Sequence, residues 1–325
     1  MTTFVAATQP TLYFIGVTTG SSSIMKVFPA WADYLRLNNA QIKGIDFPLN
    51  ASPEAYREAV EFIKQDPLSL GALVTTHKID LFNSCRDLFD EIDPLAALLG
   101  ETSCLAKHKG KLHSYAKDPI SSGLTLEGFL PTEHFASQTR DVLIFGAGGA
   151  CIAISWYLMH SARGKNVPRR IIVSDRSPQR LDELSRLHQQ FNAEFPVSYH
   201  QADSAADNDA LLANLPAGSL AINATGLGKD APGSPLSAQA RFPERAIVWE
   251  LNYRGELLFL HQAEAQQAAS RLQIENGWHY FIHGWTQAIA EVFDLPASAV
   301  QGPAIDALSR LAGRASGLTP LEKQS

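Results

Sequence analysis

Val142–Met159, VLIFGAGGACIAISWYLM, is the most informative stretch of this 325-residue sequence. Its 18 residues carry no charge, close to the minimum length of a membrane-spanning helix. Gly146, Gly148 and Gly149 fall in its middle, though, and each glycine weakens a helix by about 1 kcal/mol against alanine. The front half, VLIF, is the short apolar run of a buried parallel strand. The expectation is therefore a strand, a tight turn and a helix rather than a membrane span.

In that context Gly146-Ala147-Gly148-Gly149-Ala150 reads as a phosphate-binding turn. The first glycine permits the turn, and the second lets the backbone approach a pyrophosphate. The helix start then offers unpaired N–H groups and a positive dipole end to that anion. The third position of the usual pattern falls on Cys151, small enough for strand and helix to pack closely. The next strand ends in Val173-Ser174-Asp175-Arg176-Ser177, with Arg180 four residues beyond Arg176. An acidic residue there accepts hydrogen bonds from the adenosine ribose, whereas two arginines clamp a 2′-phosphate. Asp175 tips the reading slightly towards NAD, and Arg176 and Arg180 keep NADP open.

Outward from this turn, short apolar runs alternate with amphipathic stretches, the pattern of α/β architecture. Strands are expected at Leu12–Val17, Ile42–Pro48, Leu70–Thr75, Val142–Phe145, Arg170–Ser174, Val197–His200, Leu220–Asn223 and Ala246–Leu251. Ser52-Pro53 and Ser177-Pro178 each place an N-cap before a proline at the first helical position. Tyr56, Val60 and Ile63 form an apolar stripe behind the first, and Leu181, Leu184 and Leu187 behind the second. A polar segment from Gly123 to Asp141 is the expected domain break. The expectation is two α/β domains: residues 1–123 with 285–325 for substrate, and residues 124–284 as a Rossmann-type dinucleotide domain. A ligand cleft is expected between them.

Composition narrows the function classes. Hydrophobic residues make up 45% and charged residues 18%, a globular profile. Lys+Arg 27 against Asp+Glu 33 leaves a net charge of −6, which argues against nucleic acid, since that binding needs a basic surface. Cys85, Cys104 and Cys151 are too few and too scattered for a disulfide framework or a zinc cluster, so a reducing cytoplasm is expected. The first 25 residues carry no charge, so the positive start of a secretory signal is missing. His279 and His283 could share a helix face and bind metal, but no third ligand is evident, so packing or substrate contact is expected instead. Trp31 and Tyr34 are expected in the core, with a wall of the carboxylate site as the alternative. Trp278, Tyr280, Phe281 and Trp285 read as a buried helix or a cleft wall.

The remaining motifs resemble the shikimate dehydrogenase family over most of the chain. Gly71-Ala-Leu-Val-Thr-Thr-His-Lys78 is similar to the family's strand ending in a catalytic lysine. Leu99-Gly-Glu-Thr-Ser-Cys-Leu105 and Tyr115-Ala-Lys-Asp118 are similar to the segments leading to its catalytic aspartate. Ile222-Asn-Ala-Thr-Gly226 resembles its cofactor-side segment, and Trp249-Glu-Leu-Asn-Tyr253 the strand whose tyrosine meets substrate. The resemblance implies an NAD- or NADP-dependent oxidation of a secondary alcohol in shikimate, quinate or a related hydroxy acid. It gives Lys78 the acid–base role with Asp118 as partner. By the same token Ser21, Ser22, Ser23, Thr75, Ser103, Tyr253 and Gln287 would touch substrate. Gly146 to Ala150, Asp175, Arg176, Arg180, Asn223, Thr225, Gly226 and Gly277 would hold the cofactor.

Departures fall on the substrate side. The family's proline between threonine and lysine is missing, and the spacing is one residue shorter here. Ser103 and Ala116 replace asparagines. Ile24-Met25 follows the serines in place of Ser-Pro. The family glutamine maps to Gln287 by its Gln-Ala dipeptide, or near Gly284 by counting from Gly277. Losing hydrogen-bonding asparagines changes which ring substituents a site accepts, so a divergent substrate is expected. Two other readings stay open: a methylenetetrahydrofolate dehydrogenase-like enzyme, and a cofactor- or metabolite-sensing protein that has lost catalysis. A monomer or homodimer acting on a small molecule, with no membrane or nucleic-acid partner, completes the expectation.

Overall fold

The computed structural model describes residues 4–318, apart from 138, 192–195 and 230. The described chain forms two compact units. One combines the residues up to Asp118 with those from Ile282 onward; the other is Pro119–Phe281. Residues 319–325, at the end of the expected first domain, lie outside the described residues. The break comes at the first turn of a helix rather than at Gly123.

The first unit opens with β1 (Thr11–Gly16), α1 (Ile24–Leu35), β2 (Gln41–Asp46), α2 (Pro53–Gln65), β3 (Ser69–Val74) and α3 (Lys78–Cys85). There follow β4 (Glu91–Ile92), α4 (Pro94–Leu99), β5 (Cys104–His108) and β6 (Lys111–Tyr115). The sheet order is β2-β1-β3-β5-β6-β4. The β1, β2 and β3 strands are parallel, whereas β5 runs antiparallel to both β3 and β6. Parallel strands covered on both faces are apolar throughout, which is why every residue of β1 is buried.

Ser52 caps α2 as expected, its Oγ accepting from Ala55 N, and Tyr56, Val60 and Ile63 are buried behind it. In α1 the buried stripe is Ile24, Val27, Phe28 and Trp31. The Trp31 indole N–H donates to the Leu308 carbonyl at 2.8 Å, tying α1 to the C-terminal helix. Tyr34, expected in the core beside Trp31, is instead 46% exposed because it falls to one side of that stripe.

The second unit contains α5 (Asp118–Phe129, whose first residue belongs to the first unit), β7 (Val142–Phe145), α6 (Gly149–Met159), β8 (Ile171–Asp175) and α7 (Pro178–Gln189). It continues with β9 (Val197–Gln201), α8 (Ala205–Ala213), β10 (Leu220–Asn223), β11 (Ile247–Glu250), α9 (Leu258–Glu264), α10 (Gln267–Ser270) and β12 (Gln273–Glu275). Then α11 (Trp278–Val292) crosses into the first unit, which ends with α12 (Pro303–Ser316). The charge-free stretch is thus divided between β7 and α6, and no helix among the described residues is long and apolar enough to cross a membrane.

All strand pairs in this sheet are parallel, in the order β12-β11-β10-β7-β8-β9. This is the Rossmann arrangement, in which the chain leaves β7 in one direction and returns to β10 on the other side. One face is filled by Ile144, Cys151, Ile154, Leu158, Leu181 and Leu184, the other by Phe145, Leu212, Phe242, Val248 and Phe259. Helices therefore cover both sides.

Candidate active site

Reversal of strand order at β7/β10 leaves a crevice outside the carboxyl ends of these two strands, the usual ligand position in such sheets. A cleft of about 480 Å³ opens there, lined by Gly146, Gly148, Asp175, Arg176, Arg180, Thr225 and Gly226 among others. Gly146 adopts φ +96°, and a Cβ there would stand 3.0 Å from the Ala224 carbonyl oxygen. Only glycine lets the turn after β7 run so close to the turn after β10. Gly148 is the N-cap of α6, and open space surrounds the position a Cβ would take. That space, facing unpaired N–H groups at the start of an 11-residue helix, suits a pyrophosphate.

Asp175 has a different immediate task from the one expected. Its carboxylate accepts the Ala147 N–H and the Ser177 N–H, both at 2.8 Å, and so braces the glycine turn. Arg176 and Arg180 stand on the cleft wall. Asn223 is fully buried: it donates to Glu250 at 2.7 Å and accepts from the N–H and hydroxyl of Thr225, which fixes the turn. Glu250 also accepts the Asn252 backbone N–H and side-chain amide. Burial nonetheless pushes the Glu250 carboxyl up to about 7. Neither Ala147, Gly149, Ala150 nor Asn223 lines the cleft; they shape its rim. Asp203, Ser204, Asn208 and Ser234 do line it and were not expected. The Ser204–Asp207 capping box at the start of α8 was a readable signal for the first three.

Gly277 and Tyr253 lie elsewhere in the same unit. The Gly277 N–H donates to the Asn252 carbonyl, and Tyr253 packs on Phe281 with ring centres 4.6 Å apart. Trp278 is buried beside them.

In the first unit the ends of β1 and β3 gather the polar residues. Thr75 N donates to the Ile15 carbonyl at 3.0 Å, which fastens the exit of β3 to that of β1. Thr19, in the turn leading to Ser21, Ser22 and Ser23, donates through its N–H and hydroxyl to Asp46 at the end of β2. Ser21 is exposed and Ser22 and Ser23 half-buried. After β3 the buried His77 is held between the Tyr56 hydroxyl at 2.8 Å and the Phe47 carbonyl at 3.2 Å, and α3 begins at Lys78. The Lys78 ammonium pairs with the Asp118 carboxylate, their side chains 21% and 14% exposed.

Ser103 joins this group from the side. Its hydroxyl accepts the Lys117 N–H at 2.7 Å, and its carbonyl accepts the Val74 N–H at 2.9 Å. At 3% exposure it links the strand before Lys78 to the segment before Asp118. Gln287 in α11 keeps its Nε2 buried without a hydrogen-bond partner. A group that sequence reasoning passed over also sits here: Glu101 is 1% exposed, and its electrostatic neighbours are Lys78 and Asp118. Among the described residues no cluster of three or more His, Cys, Asp or Glu could hold a metal ion.

This arrangement can hold an alcohol oxygen between an amine and a carboxylate, and can seat a dinucleotide. No protein-family model matches the chain. It is 29% identical over 189 residues to a shikimate dehydrogenase (NADP(+)) of Lactococcus lactis subsp. cremoris strain MG1363, covering 58% of this chain and 61% of that protein. With the shikimate dehydrogenase (NADP(+)) of Bacillus cytotoxicus it shares 26% identity over 246 residues, 74% of this chain and 79% of that protein. The match to the first of these relatives thus spans less than two thirds of its length. Among solved structures, the quinate dehydrogenase from Corynebacterium glutamicum in complex with NAD superposes with a TM-score of 0.70 at 18% identity, covering 93% of this chain and 98% of that one. In sequence the chain resembles the shikimate dehydrogenases, and its fold is the two-domain, Rossmann-containing one of the shikimate and quinate dehydrogenases.

Proposed function

We propose that this protein is an NADP-dependent dehydrogenase acting on the secondary alcohol of shikimate, quinate or a closely related hydroxy acid. The observation that carries the proposal is the Lys78–Asp118 pair. It lies at the carboxyl end of a buried strand, in a chain whose other unit carries a Rossmann switch-point cleft. The first unit supplies the proton-handling groups and the second the dinucleotide cradle.

Within the cradle, the Gly146–Gly148 turn and the N-terminus of α6 hold the pyrophosphate, while Thr225 and Gly226 border the opposite rim. Arg176 and Arg180 hold the 2′-phosphate. Two backbone N–H groups already engage the Asp175 carboxylate, so it is better placed to stiffen the turn than to select NAD. A bound dinucleotide would supply the hydride acceptor for the alcohol carbon. Lys78 and Asp118 hold the alcohol oxygen by charge-assisted hydrogen bonds and relay its proton, Lys78 passing one of its own to Asp118 as it receives the alcohol's, a contribution of roughly 10²–10⁴ in rate. Ser21 to Ser23 and Thr75, around the ends of β1 and β3, bind the substrate carboxylate and hydroxyls. Gln287 offers its unpartnered amide to a ring hydroxyl. Ser103 positions the catalytic segments from behind, and Tyr253 contributes an aromatic contact.

The test is an initial-rate assay with NADP⁺ and NAD⁺ over shikimate, quinate, other cyclic hydroxy acids and, as the contrasting class, methylenetetrahydrofolate. Reduction of NADP⁺ with a cyclic hydroxy acid is the expected result. Turnover of the folate alone, or tight dinucleotide binding without turnover of any substrate, would refute it.

A further inference from the structure

We infer that Glu101 is a third member of the Lys78–Asp118 group, a positioning residue whose carboxyl takes up or releases a proton beside the amine and thereby sets how readily Lys78 gives up its own. The inference rests on the reading of Lys78 as the proton-transferring group. The geometry behind it begins in the backbone. The turn after α4 carries Glu101, Thr102 and Ser103, and the Thr102 N–H donates to the Lys78 carbonyl at 3.2 Å. The Ser103 N–H donates to the Tyr115 carbonyl at 3.0 Å, and the Ser103 hydroxyl accepts from Lys117 N. The turn is therefore stitched to the start of α3 on one side and to the approach of Asp118 on the other.

The Glu101 side chain is 1% exposed, and neither carboxylate oxygen has a hydrogen-bond partner. A buried carboxyl that serves only the fold is normally given donors. Among the described residues the other buried acids follow that rule: Glu250 accepts three N–H groups from Asn223 and Asn252, Asp141 three from Arg169 and Arg170, and Asp66 the Ala7 N–H and the Ser69 hydroxyl. Glu101 has instead the charge of Lys78 from α3 and that of Asp118 from the start of α5. Other charged or titratable side chains nearby are engaged elsewhere. Lys117 pairs with Glu291 and lies over the Tyr115 ring, and His77 bonds Tyr56 and the Phe47 carbonyl.

Two carboxyls within the electrostatic reach of one amine cannot both settle as anions in a buried site at no cost. Burial and the Asp118 charge raise the Glu101 carboxyl, Lys78 draws it down, and the result lies near 7. Near neutral pH Glu101 thus passes from neutral to charged. Once charged, it favours the ammonium form of Lys78.

The experiment is competitive acetylation of the full-length protein from pH 5 to pH 10, with labelling at Lys78 read by peptide mass spectrometry in wild type and Glu101→Gln. In Glu101→Gln the amine should become reactive about one pH unit lower, giving roughly tenfold faster labelling at equal pH above neutrality. Lys64, paired with Asp90, serves as the internal reference and should not change. The pH profile of kcat should also lose an ionisation near neutrality. Superimposable Lys78 labelling curves would overturn the inference. Should Glu101→Gln not fold, the Glu101 carboxyl can be titrated by carbon-13 NMR in wild type and Lys78→Gln. Removing the amine should raise its midpoint, and an unmoved midpoint would equally overturn it. Labelling does not require turnover. Coupled curves with no hydroxy acid oxidised would therefore count against the dehydrogenase reading and leave the Glu101–Lys78 coupling standing.

Discussion

At the end of β8 an aspartate and two arginines line one cleft wall, and residue types alone leave ambiguous which of them would meet a dinucleotide. An acid in this position accepts ribose hydroxyls in NAD-binding proteins, and Asp175 also braces Ala147 and Ser177. Arg176 and Arg180 on the same wall are the groups whose charge favours a 2′-phosphate. A charge-assisted hydrogen bond contributes about 1.5–3 kcal/mol. The double variant Arg176→Gln/Arg180→Gln should therefore lose at least tenfold in kcat/KM for NADP⁺, with NAD⁺ changed by no more than about twofold. Equal losses with both cofactors in steady-state assays would show that the arginines serve the fold. Glu101 shows where residue-level reading ran short. It stood in plain view between Leu99 and Leu105, but nothing in a sequence says that a lone acid there is buried within reach of the Lys78 charge rather than exposed to water.

Among the elements, eight strands were legible, and each is present within a residue or two of its expected span. Six of them, β1, β3, β7, β8, β10 and β11, are largely buried runs, whereas β2 and β9 are sheet-edge strands with mostly half-buried or exposed residues. The β5–β6 hairpin was not legible. Its strands, Cys104–His108 and Lys111–Tyr115, carry lysine and histidine at half-buried positions, so neither gives a clean apolar run. The available signal was the turn: Lys109 and Gly110 both take positive φ, 52° and 81°, as a two-residue hairpin loop requires. The glycine turn after β7 was fully legible, and its two key positions make separable predictions. Gly146→Ala must adopt φ +96° and crowd the Ala224 carbonyl, so it should lower both Tm and dinucleotide affinity. Gly148→Ala meets nothing within 4 Å, so Tm should hold while the dinucleotide Kd rises at least about tenfold. Thermal melts and fluorescence titration of the reduced dinucleotide check both. If Gly148→Ala binds as wild type does, the pyrophosphate does not sit there.

For the whole molecule, the two raised carboxyls make stability depend on pH in a defined direction. Glu101 and Glu250 belong to different units, and each has its folded value near 7 against an ordinary 4.5. Between those values each of these two carboxyls is more protonated in the folded protein than in the unfolded chain. Their contribution to stability therefore falls as pH rises through the window, and is lost above it. Each group accounts for up to about 3 kcal/mol. The carboxylates whose values are lowered, such as Asp141 and Asp66, are already ionised there and add no slope. Buried His134 and His188, both lowered to about 4, oppose this between pH 4 and 6.5, because there the unfolded chain holds their protons and stability rises with pH. The Glu101 contribution is therefore read as a difference: the Tm of Glu101→Gln relative to wild type should rise from pH 5 to pH 8. An unchanged slope in calorimetry would mean that Glu101 titrates alike in folded and unfolded chains.

The assignment as a whole stands on the chemistry of one amine and its carboxylate partner. Its most direct test is NADP⁺ reduction by wild type and Lys78→Ala with shikimate and quinate, each compared with the NADP⁺ dissociation constant of the same protein. The expected result is turnover by wild type, a loss of at least about 10²-fold in kcat for Lys78→Ala, and nearly equal dissociation constants. Undiminished turnover in Lys78→Ala, or a parallel collapse of turnover and NADP⁺ binding, would contradict it.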